Sequence, residues 1–417
     1  MVSFGTCITL GLSIAYWIVY GFSFGQPNEA SWRAPIAFSL FFILPPLILI
    51  SFLPESPRWL MLQAKEQEAI SVLSALNEQP EDSEDIRREI VQIKNAVIYM
   101  ASQPASQVFT NGEWRYLQRT LLAILLQVMQ QFTGVNLFMQ YLGGMFANQL
   151  HFAPRLSLLL AAACSTEFFL ASLVAVIGID RFWGRRTLTM FGATGMCLCM
   201  IALAALNWAG NTHSLQSAYY AMAAFLFAYN TFFSIGWQGM SWMWAVELTP
   251  LSIRGPANAL ATAASWLSSF VVVICTPVLF TRITWKTYVI FAVTNLAWVP
   301  IIYFLYPETG GRSLEEVDIL FKTADEQGNA WLKVVGVANS EPHWYDKNGD
   351  PTDSYASEQG ASKEEEKSSS NGWQSHSSPD PLWRSPEESI SRDASFGDDA
   401  APPPVINRHS SRPSTRD

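Results

Sequence analysis

Four amide side chains fall within ten residues of an otherwise apolar stretch: Gln127, Gln130, Gln131 and Asn136. On a helix the first three, at i, i+3 and i+4, share one face, and Gly134 interrupts the run just before Asn136. An amide in apolar surroundings is costly unless it is hydrogen-bonded. Each amide both donates and accepts, so a strip of them matches the hydroxyls of a sugar or polyol. Hydrogen bonding between helices is the competing use. A second stretch offers an opposing surface with Ser234, Gly236, Gln238, Gly239, Ser241 and Trp242. Trp242, and Trp266 further on, can stack on the apolar face of a sugar ring. A chain with 16 Trp also uses indoles for ordinary packing.

Glu167 lies midway along another apolar stretch, and an acid there is a functional candidate by default. Binding a substrate, carrying a proton, or hydrogen bonding while protonated are all open to it. A further constellation, Asp180, Arg181, Arg185, Arg186, Glu247 and Arg254, sits at the edges of apolar stretches. Opposite charges at helix ends can pair in one conformation and part in another. Sorting of positive residues to one side accounts for the arginines but not for Asp180 or Glu247.

The elements that must hold these groups are long and apolar. A bilayer core of about 30 Å needs roughly 20 apolar residues in a helix. About eight stretches qualify, at 2–24, 36–53, 119–146, 156–179, 187–208, 218–246, 257–281 and 285–306. Among the last six stretches, the amide stretch and the Ser234–Trp242 stretch occupy matching positions, first and fourth, as the openings of two three-helix repeats. Gly-interrupted spans at matching repeat positions point to a transporter's midplane site. Basic residues concentrate on one side, among them Arg58, Arg115, Arg185, Arg254 and Arg312, against Arg33, Arg155, Arg282 and Lys286 on the other. That bias puts both termini in the cytoplasm. Residues 54–118 form the one long internal loop, with helical spacing at Trp59–Leu76 and Ile86–Val97 that predicts two or three short amphipathic helices. From about Asp325 the chain becomes rich in Ser, Pro, Asp and Glu, which predicts a disordered cytoplasmic tail over 325–417.

Composition narrows the function. Half of the residues are hydrophobic and 15% are charged, against about 25% charged in average soluble domains. A net charge of −9 with no basic concentration excludes a nucleic-acid binder. The five cysteines all fall in apolar stretches, without disulfide or zinc spacing. No His–carboxylate cluster, G-x-S-x-G or phosphate-binding loop is present, so an enzyme is the weakest class, and no metal or cofactor is implied.

The edges of the apolar stretches carry motifs. Pro54-Glu55-Ser56-Pro57-Arg58-Trp59-Leu60 follows the second stretch and Pro307-Glu308-Thr309-Gly310-Gly311-Arg312-Ser313 follows the eighth. Between them lie Gln130–Asn136, Asp180–Arg186, and Trp242 through Glu247 to Arg254. In this order the chain resembles the sugar-porter family of the major facilitator superfamily, in a fungal form, over about residues 1–320. The resemblance implies an all-α integral membrane bundle. It implies transport of a sugar or polyol by alternating access, facilitative or coupled to H+, with the plasma membrane as the expected location. It also implies that Gln130, Gln131, Asn136, Trp242 and Trp266 line the sugar path. Glu55, Arg58 and Glu308 join the charges above in a gating network. Residues 1–53 correspond to the fifth and sixth family helices and 119–306 to the seventh through twelfth, with no counterpart of the first four. The expectation is therefore a truncated chain that does not transport alone, its remaining helices supplied by an unknown partner chain. The alternative is a non-transporting sensor or partner subunit. Ser234 stands where hexose carriers often have Glu, which leaves polyols and other sugars open.

Overall fold

The computed structural model describes residues 2–25, 28–102, 104–112, 114–179, 183–344 and 352. Within these the chain is helical throughout. The first two helices, α1 (Val2–Ser23) and α2 (Ala30–Leu49), are followed by three short ones: α3 (Pro57–Leu62), α4 (Glu66–Asn77) and α5 (Glu84–Ser102). Then come α6 (Tyr116–Gln130), α7 (Asn136–Gly144), α8 (Pro154–Gly178), α9 (Arg185–His213), α10 (Gln216–Phe233), α11 (Met240–Leu248), α12 (Arg254–Ile283) and α13 (Lys286–Leu305). Two shorter helices, α14 (Leu314–Glu326) and α15 (Ala330–Ser340), complete the order.

Among the described residues, seven helical runs are long and apolar enough to cross a membrane: α1, α2, α6 through α7 (with the turn that follows), α8, α9, α12 and α13. An eighth run, α10 with α11, is divided by a π-helical turn at Ser234–Gln238. The α6–α7 run is divided likewise at Gln131–Val135. Apolar length explains the spans. Glycine explains the breaks. Gly134 has φ +94°, and a Cβ there would lie 2.9 Å from Met200 Cε and from Phe291 Cδ1. Gly192 and Gly236 bring α9 and the second break into backbone contact, since a Cβ on Gly236 would lie 2.7 Å from Gly192 Cα.

One large apolar cluster runs through α6 to α15, with Leu126, Phe138, Met196, Tyr229, Trp237, Trp244 and Phe321 at its centre. A smaller one joins α3, α4 and α5 through Leu60, Leu73, Ile86 and Ile90. Helix α1 packs along α8, while α2 packs against α1 and buries no residue. The expected start of a disordered tail at 325 needs correction. Helix α14 continues to Glu326, and α15 follows with Val334, Val335, Val337 and Ala338 buried in the main cluster. Arg312 ties down the end of α15, donating to the carbonyls of Ala338 at 2.9 Å and Glu341 at 2.7 Å. Apart from Thr352, the tail beyond Trp344 lies outside the described residues.

Candidate functional site

Helix α6 delivers its amides to the second helix break. Gln127 and Gln130 are 1% and 4% exposed. The Gln127 Nε2 donates to Ser241 O and the Gln130 Nε2 to Trp237 O, both at 3.3 Å. Their carbonyl oxygens accept no hydrogen bond from the described residues. A buried acceptor left unmade costs about 1–3 kcal/mol, so a hydroxyl donor arriving there would be favoured. Gln131 donates to Ser265 Oγ at 3.0 Å and accepts from Asn136 Nδ2 at 2.8 Å. Ser265 precedes Trp266 on α12. The structure thus gathers Gln127, Gln130, Gln131 and Asn136 against the α10–α11 break and α12, and Trp266 and Trp242 stand exposed at 70% and 37% on those two runs.

The breaks free backbone carbonyls, and these are satisfied from neighbouring helices. Tyr229 Oη and Asn295 Nδ2 each donate to Thr133 O at 2.9 Å, and Thr294 Oγ1 donates to Phe132 O at 2.9 Å. These residues hold Gln131 and Asn136 in place, and sequence reasoning missed them. Asn295 carried a readable signal: it is an amide alone in an apolar span. Ser234 is not part of the amide cluster. Its hydroxyl donates to Phe168 O on α8 at 2.9 Å and joins two helices.

Glu167 is half-buried on α8 and makes no hydrogen bond to the α6–α7 amides. Its Oε1 accepts from the Thr231 hydroxyl of α10, and its Oε2 has no partner among the described residues.

At one end of the bundle the charges converge on the start of α9. Arg185 pairs with Glu247 at 3.1 Å, and Thr309 Oγ1 donates to the other Glu247 oxygen at 2.5 Å. Glu308 accepts from the backbone N–H groups of Arg185 at 2.8 Å, Arg186 at 3.0 Å and Gly310 at 3.0 Å. Helix N-termini favour a carboxylate in this position because the first N–H groups lack helical partners and the dipole is positive there. Gly184 is required by the same contact, since a Cβ would overlap Glu308 Oε2. Arg186 lies over the Tyr303 ring and donates to its carbonyl at 2.5 Å.

The remaining charges are placed differently. Arg254 donates to Thr249 O at 3.3 and 3.2 Å rather than to an acid. Glu55 and Arg58 are exposed, and no ion pair among the described residues includes either. Asp180 and Arg181 lie outside the described residues. Sequence reasoning missed a stronger pair. Arg119, wholly buried, bonds Asp318 of α14 and Leu248 O, both at 2.6 Å. Arg115 and Asp325 form a second pair between α6 and α14. Burial raises the Asp318 carboxyl above its ordinary value, and the adjacent Arg119 opposes that rise.

With this geometry in view, the chain can be set beside known proteins. The family model described as Sugar (and other) transporter matches residues 1–321. The Sugar transporter STL1 of Saccharomyces cerevisiae is 34% identical over 333 residues, covering 79% of this chain and 58% of that protein. The High-affinity glucose transporter 1 of Candida albicans is 30% identical over 360 residues, covering 80% of this chain and 64% of that protein. The chain therefore spans only about three fifths of the length of these relatives. Among solved structures, the proton:xylose symporter XylE bound to 6-bromo-6-deoxy-D-glucose superposes with a TM-score of 0.60 at 24% identity, covering 76% of this chain and 66% of that one. The inward-open xylose transporter XylE from E. coli gives 0.57 at 22% identity, covering 76% and 64%. The family match over residues 1–321 and the long apolar helices together give the conclusion: the chain is a multi-pass integral membrane protein of the sugar-porter family, with the major facilitator fold.

Proposed function

We propose that this chain forms the solute-binding face of a carrier that moves a sugar or polyol across a membrane by alternating access. The observation that carries the reading is the pair of buried, unused carbonyl oxygens on Gln127 and Gln130, whose amide nitrogens are already committed to the opposite helix. A solute hydroxyl donates to such oxygens, and Trp242 and Trp266 offer apolar faces to the ring or carbon chain. The relatives named as a sugar transporter, a glucose transporter and a proton:xylose symporter support a sugar as the solute class. Ser234 spends its hydroxyl on Phe168 O, so selectivity falls to the amides and to neutral solutes, polyols included. The Arg185–Glu247 pair and the Glu308 cap supply a gate that parts as the halves rock, in a chain with both termini in the cytoplasm and a place in the plasma membrane.

The test is equilibrium binding to the purified chain, read by tryptophan fluorescence across hexoses, pentoses and polyols. A saturable change that weakens in Gln130→Leu is expected. If no hydroxylated solute gives one, the reading fails. Uptake is a separate measurement. Trp242 and Trp266 are exposed at 37% and 70%, so nothing in this chain covers their outer faces among the described residues. The chain expressed alone in yeast lacking sugar carriers should therefore show no saturable uptake. Absence of both binding and uptake favours a sensor or partner subunit.

A further inference from the structure

Glu167 is an acid in the middle of an apolar span, with one oxygen bonded and the other not. Its Oε1 takes the Thr231 hydroxyl, and its Oε2 is buried without a partner. No ion pair among the described residues includes it. The groups around it are neutral. Asn230 Nδ2 donates to Cys164 Sγ at 3.0 Å one turn earlier on α8. Thr166, its neighbour in sequence, shares a hydrogen bond with Ser13 Oγ at 2.9 Å and accepts from Trp17 Nε1 at 2.8 Å, both from α1. Farther along the same seam, Thr9 and Ser172 hydroxyls meet at 3.2 Å. The titratable groups facing this region are Cys164 on α8 and Tyr16 on α1, whose hydroxyl donates to Met139 O at 3.2 Å. On α10, Tyr229 turns away to Thr133 O.

A carboxylate whose one unbonded oxygen meets neither water nor a cation is expensive, and the neutral acid is the form such a site favours. Hydroxyl-to-hydroxyl bonds, in contrast, exchange partners cheaply, because a rotating O–H donates or accepts equally well. The α1–α8 seam contains two such bonds, and one of them is made by Thr166, the residue before the acid.

We propose that Glu167 is a reversible proton-binding site, separate from the amide cluster, whose occupancy is governed by the position of α1 against α8. With the seam closed, Oε2 keeps its proton. When α1 shifts, the Ser13 and Trp17 bonds to Thr166 break, water reaches Oε2, and the O–H bond gives its proton to that water. Re-closure follows protonation by the same route. The carrier reading enters only in making this proton a companion of the solute.

The experiment is infrared spectroscopy of the purified full chain in lipid nanodiscs, without solute, so that failure of the solute reading leaves it intact. A protonated-carboxyl band at neutral pH is expected, absent in Glu167→Gln and displaced in frequency in Thr231→Val, which removes a hydrogen bond to the same group. Titrating the band in the Ser13→Ala, Trp17→Phe double variant should move its midpoint by about one pH unit or more, as expected when a carboxyl gains water. Thr231→Val reports on the assignment even if Glu167→Gln does not fold. A band unaltered by both Glu167→Gln and Thr231→Val, or no band at all, overturns the site. An unmoved midpoint in the α1 variant overturns the control by α1.

Discussion

The two polar regions of the bundle treat their hydrogen-bonding capacity in opposite ways. Around the start of α9 and along α14, the carboxylate acceptors are spent: Glu308 accepts three backbone N–H groups, Glu247 takes Arg185 and Thr309, and Asp318 takes Arg119, while buried nitrogens of Arg115, Arg119 and Arg186 keep donors to spare. Along α6, the donors of Gln127 and Gln130 are used and the acceptors are not. Spent capacity holds elements together. An acceptor left over in a buried place is available to a solute hydroxyl, which is what sets Gln127 and Gln130 apart from the carboxylates of the clamped end.

Breaking the clamped end should have the largest effect. Asp318→Ala leaves the buried Arg119 cation without its acid, and loss of one partner of a buried pair costs about 3–5 kcal/mol. The low end is expected because Asp318 keeps a solvent-facing edge, and a lowered unfolding temperature in detergent would show it. Unchanged unfolding would mean that α14 is not held by this pair. Gly134→Ala should come next. It forces an alanine to φ +94° and into Met200 and Phe291, for a loss of about 1–3 kcal/mol by the same assay.

The amide region should respond in the opposite sense. Gln130→Leu is expected to weaken solute binding about tenfold, or about 1.4 kcal/mol, with little change in unfolding temperature. Trp237 O keeps its bond from Ser241 Oγ at 3.1 Å, so no backbone acceptor is orphaned. A variant that unfolds readily but binds normally would reverse the assignment of the two regions. The smallest effect belongs to Glu308→Gln. It removes the charge and leaves one accepting oxygen, so at least one of the three N–H bonds is lost, at a cost of about 1 kcal/mol whose charge-dependent part rising salt should mask in the parent chain.

Parts of this contrast were readable in the chain itself. The amides at 127, 130 and 131 announce a shared face in helical spacing, whereas the meeting of Gln127 and Gln130 with the second break and of Gln131 with α12 was not readable there. The acid of the Pro307–Gly310 motif and the arginines after Gly184 were visible as charges at span ends. Their actual relation, a carboxylate capping a helix 120 residues earlier in the chain, was not. Arg119 stands at the edge of an apolar stretch, where an arginine ordinarily faces water. Only α14, folding back through Val317, Leu320 and Phe321, buries it. The same folding back explains α15, whose valines are diluted in sequence by the polar residues around them and become a helix only against the main cluster.

Sequence alone determined the class of element, the approximate length of each span and the positions of the breaks. These depend on apolar length and on residues with special backbone freedom, which act within a few neighbours. Tertiary structure decided which atom of each polar side chain is used: that Ser234 turns to α8, that Glu167 meets Thr231, and that two glutamine oxygens go unpaired. Hydrogen bonds reach about 3 Å, so their partners are fixed only when helices far apart in the chain are packed side by side.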